Sequence, residues 1–123
     1  MNAKIKKIEQ DNFATAYLKA LRVSPLKLRR VTRVVTGMSV EKALMNLTFC
    51  KIRVAKDVKE LLKSAMANAE NNQGMDIDNL IIHRIDVGKS FVMKRFRPRA
   101  KGRGCKILKP FSNIRIVLTE KKE

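Results

Sequence analysis

Residues 80–119, LIIHRIDVGKSFVMKRFRPRAKGRGCKILKPFSNIRIVLT, decide how this chain folds. The two ends of the stretch, Leu80 to Val87 and Asn113 to Thr119, are rich in β-branched residues and read as strands. Ile114, Ile116 and Leu118 recur at every second position and so share one face. Between the ends lie residues 88–112, and a structureless connection that long is uncommon in a compact domain unless it is functional or disordered. If the strands continue instead, residues 81–117 form one hairpin. Each arm then has about eighteen residues and reaches on the order of 60 Å at roughly 3.3 Å per residue. A body of about 95 residues has a radius of gyration near ~12 Å, so such an arm must protrude from it.

Ahead of this stretch the pattern is helical. Residues 14–23, ATAYLKALRV, are poor in turn formers and read as a first strand. Ser24-Pro25 is a helix start, because Ser caps free amides and Pro loses nothing at the first helical position. That helix is expected to run to about Thr36, with Gly37 ending it. Leu28, Val31 and Val35 point inward and leave Lys27, Arg29, Arg30 and Arg33 outside. Ser39 opens a second short helix with Val40, Ala43, Leu44 and Leu47 as its stripe. Val54, Val58, Leu61, Leu62, Ala65, Met66 and Ala69 form a longer stripe, closed by Asn71, Asn72 and Gly74. Its alanines allow a neighbouring element to come close. One strand, three helices and two strands make a single α+β domain with a small antiparallel sheet packed on helices. The body should cover about 14–87 and 112–119 and the arm about 88–111. Residues 1–13 and 120–123 are then flexible ends.

The chain has 123 residues and a formal net charge of +17. Residues 1–36 carry net +7, residues 37–83 are neutral, and residues 84–109 carry ten basic side chains against the single acid Asp86. Charge this concentrated opposes compaction unless a partner supplies counter-charge. A polyanion does so and gains entropy from released counterions. A solvated solubility surface would intersperse acids among the bases. An anionic membrane would need a matching hydrophobic face, which the basic segments lack. No apolar run approaches the ~20 residues needed to span a bilayer, and no apolar stretch follows the N-terminal lysines, so neither membrane insertion nor export is expected.

Within the arm, Phe91, Val92, Met93 and Phe96 alternate with Lys94, Arg95, Arg97, Arg99, Lys101 and Arg103. Arginine forks pair with phosphate oxygens, and apolar groups pack on bases or sugars. An isolated two-stranded ribbon is marginal in water, so a charged one expects a partner. A structured RNA is the partner this favours, and a disordered basic loop condensing on any polyanion is the simpler alternative. The candidate RNA-binding cations are Arg22, Lys27, Arg29, Arg30 and Arg33 on the body. On the arm they are Arg84, Lys89, Lys94, Arg95, Arg97, Arg99, Lys101, Arg103, Lys106 and Lys109.

Three motifs, in this order, also resemble one known family. They are Arg22-Val23-Ser24-Pro25-Leu26-Lys27-Leu28-Arg29-Arg30-Val31 with Gly37 after it, and Ser64-Ala65-Met66-Ala67-Asn68-Ala69-Glu70-Asn71-Asn72 ahead of Gly74-Met75-Asp76. The third is Met93-Lys94-Arg95 followed by Pro98-Arg99-Ala100-Lys101-Gly102-Arg103. Together they are similar to the large-subunit ribosomal proteins numbered twenty-two, over roughly Thr15 to Thr119. The resemblance implies a body at the outer surface of the large subunit, near the exit of the nascent-peptide tunnel, in the cytoplasmic ribosome. It implies a hairpin that runs inward through large-subunit rRNA, helps assemble it and lines part of the tunnel near its constriction. Neighbouring large-subunit proteins and the nascent polypeptide are the further partners it implies. Carried onto this chain, Met93, Lys94 and Arg95 lie on one arm, and Arg99, Ala100, Lys101, Gly102 and Arg103 form the tip.

The rival binding class is a helix-turn-helix DNA regulator, since residues 24–47 read as helix, turn, helix. A recognition helix should present polar side chains to base edges, whereas residues 40–47 offer only Glu41, Lys42 and Asn46. Enzyme chemistry has less to rest on, and no cofactor is implied. His83 sits in an apolar strand, where a hydrogen-bonded structural role is expected, and Asp76 and Asp78 look like turn and cap residues. Cys50, Cys105 and His83 are too few for a structural zinc site, and a disulfide between the cysteines is disfavoured without an export signal.

Overall fold

The computed structural model describes residues 12–121. Strand β1 (Phe13–Leu21) leads into helices α1 (Pro25–Val35), α2 (Val40–Phe49) and α3 (Val54–Gln73). Strands β2 (Leu80–Pro98) and β3 (Gly104–Glu120) follow, and the sheet order is β1-β3-β2, antiparallel throughout. Phe13 and Glu120, read from the sequence as end segments, therefore belong to strands. The Glu120 carboxylate also accepts from the Asp76 amide at 2.8 Å. The N-terminal segment 1–11 lies outside the described residues.

Local signals place the helices. The Ser24 hydroxyl accepts from the Lys27 amide at 3.4 Å, and Pro25 occupies the first turn of α1. Gly37, at φ +83°, turns the chain out of the helix, and its amide donates to the Ile82 carbonyl at 3.0 Å. The Ile82 amide in turn donates to the Met38 carbonyl at 3.0 Å, so the α1–α2 turn is stitched to the outer edge of β2. That contact covers part of an otherwise unpaired strand edge. Helix α3 ends at Gly74 in the left-handed region, with the Met75 amide returning to the Ala69 carbonyl at 3.0 Å. Asn71 and Asn72, expected to end the helix, lie within its last turn. Their side chains are weak helix formers, but the backbone is still hydrogen-bonded there, and only Gly74 reverses it.

The three helices cover one face of the sheet. Leu28 and Leu62 are fully buried against Ile114, Ile116 and Leu118 of the central strand. Each such side chain contributes about 1.5–3 kcal/mol by leaving water. Buried Ala14 and Ala16 on β1 and Ala65 and Ala69 on α3 let helix and strand come close. They do so near enough for the Asn68 amide to reach the Thr15 carbonyl at 3.0 Å.

Three irregularities shape the sheet. Ile82 pairs with Leu118 and Arg84 with Val117, so His83 is an extra residue in β2. Its effect is to move the inward positions from Leu80 and Ile82 to Ile85 and Val87, which plain alternation from Leu80 would turn outward. The expected hydrogen-bonded role of His83 is corrected accordingly. The ring is exposed, has no hydrogen-bond partner among the described residues, and packs on Phe13 with centroids 5.4 Å apart. A second extra residue in β2 lies between Lys89 and Val92, where Phe91 stacks on Phe111 at 4.4 Å. The third is in β1 between Leu18 and Leu21. There Ala20 takes φ +55° and its amide donates to Asn113 Oδ1 at 3.1 Å.

Candidate nucleic-acid interface

Beyond the second bulge the ribbon leaves the body, and from Met93 to Lys109 every residue is exposed. The seven residues Val92 to Pro98 extend it by roughly 23 Å at about 3.3 Å per residue. Its turn spans Arg99 to Arg103, closed by the Arg99 amide donating to the Arg103 carbonyl at 2.6 Å. Lys101 at φ +61° and Gly102 at φ +70° reverse the chain. Near the turn the Phe96 ring lies directly over Gly104, in the space a Cβ there would fill.

Pairing register decides the chemistry of the arm. Met93 opposes Lys109, Lys94 opposes Leu108, Arg95 opposes Ile107, Phe96 opposes Lys106, and Arg97 opposes Cys105. Each of these rungs pairs one cation with one uncharged residue, so along them no two cations sit directly opposite and repel; only at the turn do two, Arg99 and Arg103, face each other. Because cross-strand partners share a face and successive rungs alternate, both faces are cationic. Lys94 and Lys106 lie on one, and Arg95, Arg97 and Lys109 on the other.

The body cations divide. Arg22, Lys27, Arg30 and Lys109 are among the residues lining a cleft of about 680 Å³ at the foot of the arm, between the β1–α1 loop, the start of α3 and β3. Arg29 and Arg33 are exposed on α1 and are not part of that cleft. Arg84 stands on the body's sheet, 3.4 Å from the Asp86 carboxylate, and Lys89 pairs in register with Ser112. Arg53, which lines the same cleft, was not among the sequence candidates. Its charge is hidden by the balanced count of residues 37–83. The signal that could have found it is Lys51-Ile52-Arg53 directly before a helix start.

Both cysteines are free thiols, Cys105 on the arm and Cys50 at the end of α2. Among the described residues no group of three or more His, Cys, Asp or Glu side chains could hold a metal ion. No described helix is long and apolar enough to cross a membrane.

Comparison with known proteins gives this geometry its relatives. The family model for ribosomal protein L22p/L17e matches residues 16–119. The chain belongs to the L22p/L17e family. It is 57% identical over 115 residues to the large ribosomal subunit protein uL22 of Rickettsia prowazekii, covering 94% of this chain and 97% of that one. The uL22 of Maricaulis maris is 54% identical over 113 residues, covering 92% of this chain and 90% of its own length. That of Jannaschia sp. is 55% identical over 113 residues, with the same coverage. The L22p/L17e match contains every candidate cation from Arg22 to Lys109 and the whole arm. It also replaces the helix-turn-helix reading of residues 24–47 with a different family.

Proposed function

We propose that this protein is a structural constituent of the large ribosomal subunit. It binds large-subunit rRNA through its body and arm, assists the assembly of that RNA, and lines the nascent-peptide tunnel with its hairpin tip. Its partners are that rRNA, adjoining large-subunit proteins and the passing nascent chain, and it acts as a scaffold, not as a catalyst. The observation that carries the reading is the two-faced cationic ribbon. A protein resting on an RNA surface needs cations on one face, whereas one threaded between RNA segments needs them on both. The interleaved Met93, Phe96, Ile107 and Leu108 supply the apolar contacts that bases and sugars accept. On the body, Arg22, Lys27, Arg29, Arg30 and Arg33 contact phosphates. Met93, Lys94, Arg95 and the tip Arg99, Ala100, Lys101, Gly102 and Arg103 face the tunnel.

The test is binding to large-subunit and small-subunit RNA across a salt series, for the intact chain and for one lacking residues 89–106. The intact chain is expected to select large-subunit RNA, with a log–log salt slope steeper than about −2, since each neutralised phosphate contributes roughly −0.7 to −0.9. The truncated chain is expected to select it more weakly. Equal binding of both RNAs by the intact chain would reduce the charge to a general affinity for polyanions and remove the ribosomal role.

A further inference from the structure

We propose that the cleft at the foot of the arm holds one unstacked nucleotide of the large-subunit RNA. This rests on the RNA-binding reading above and gives it a specific subsite. Arg22, Lys27, Arg30 and Arg53 line the cleft against the single carboxylate of Asp57, and Lys109, on the opposite face of the ribbon from Leu108, borders it. Among the described residues none of the five is held in an ion pair, so their charge is free for an anion. Three are arginines, whose forks match phosphate oxygens in pairs.

The cleft is not merely cationic. Ile52 and Leu108 line it while 44% and 60% exposed, and Pro110 lies beside them. A duplex offers phosphates and a shallow groove, and its stacked bases cannot reach such a wall. An unstacked base or its ribose can lie on it while its phosphate meets the arginines. The volume, about 680 Å³, falls within the ~300–1,000 Å³ typical of small-molecule sites and suits one nucleotide. One wall is also held in advance, because the buried Ser112 hydroxyl bonds the Val23 carbonyl next to Arg22. A preformed wall lowers the ordering cost of binding.

The full chain carrying Ile52→Ser and Leu108→Ser together is compared with the parent and with Arg53→Gln on large-subunit RNA across a salt series. The double variant is expected to lose about tenfold in affinity at every salt concentration, because both side chains give up apolar area buried against the base or ribose. Its slope should be unchanged, because no charge is removed. Arg53→Gln is expected to flatten the slope by roughly 0.7–0.9. If the double variant binds as tightly as the parent, the nucleotide site is overturned while the RNA-binding role stands. If the parent itself does not prefer large-subunit RNA, the functional reading fails first. Independently of folding in the variants, titrating the parent with uridine monophosphate should shift the Ile52 and Leu108 methyl resonances more than inorganic phosphate does. Equal shifts with phosphate alone would overturn the nucleotide assignment.

Discussion

The hydroxyl of Ser112, fully buried in the central strand, donates a 2.6 Å hydrogen bond to the carbonyl of Val23 in the β1–α1 loop. The loop is also tied locally, since the Val23 amide donates to the Leu21 carbonyl at 2.8 Å and Leu21 pairs with Ser112. One side chain at the root of the arm thus holds the segment that presents Arg22 and starts α1. Ser112→Ala leaves the carbonyl without its partner and should cost about 1–2 kcal/mol in denaturant unfolding. RNA affinity should fall as well, although no charge is lost. Unchanged stability and affinity together would show that the bond holds nothing in place.

His83 carries a different expectation. Deleting it leaves Ile82, Ile85 and Val87 inward and Arg84 and Asp86 outward, because the bulge residue is the one that breaks alternation. The deletion should therefore keep the fold, at a cost of no more than about 2 kcal/mol, while straightening β2 and re-aiming the arm. The check is a native-like circular dichroism spectrum combined with weaker binding to large-subunit RNA. An unfolded product would mean that the bulge is essential to the sheet itself.

Two leucines separate core from surface. Leu62 is fully buried on α3, whereas Leu26 is 74% exposed on α1. Leu62→Ala should cost about 2–5 kcal/mol through lost burial and the cavity it leaves. Leu26→Ala should stay within about 0.5 kcal/mol. Urea titrations of the two variants decide the matter, and comparable losses would contradict the packing described.

The tip should behave as an independent functional element. Arg99 and Lys101 are exposed in a turn held by backbone bonds, far from the core. Replacing both with Ala should shift stability by less than about 0.5 kcal/mol. It should alter the passage or stalling of nascent chains in assembled ribosomes. A large fall in the melting temperature of the free protein would place these side chains in the folded body instead.

Much of this architecture was legible in the residues. Ser24-Pro25, Gly37 and Gly74 act through their own dihedral preferences and nearby amides, so the helix ends they mark could be read without knowing the partner elements. The stripe from Val54 to Ala69 and the alternation of Ile114, Ile116 and Leu118 needed only a period. The continuous hairpin followed from the implausibility of a long bare loop, and β2 and β3 are indeed 19 and 17 residues long.

What the chain by itself determined, then, is which segments are helix and strand, that Gly37 and Gly74 end their helices, and that its charge gathers on a protruding ribbon. Those are local properties of dihedral preference, period and composition. Only the tertiary structure decided the register. It placed the extra residues at His83, near Phe91 and near Ala20, and it set one cation against one uncharged neighbour on successive rungs. It also brought Arg53 to the same cleft as Arg22 and Lys109. These are relations between distant segments, and the physical reason is that a strand's alternation says which residues share a face but not which residue of another strand will lie opposite.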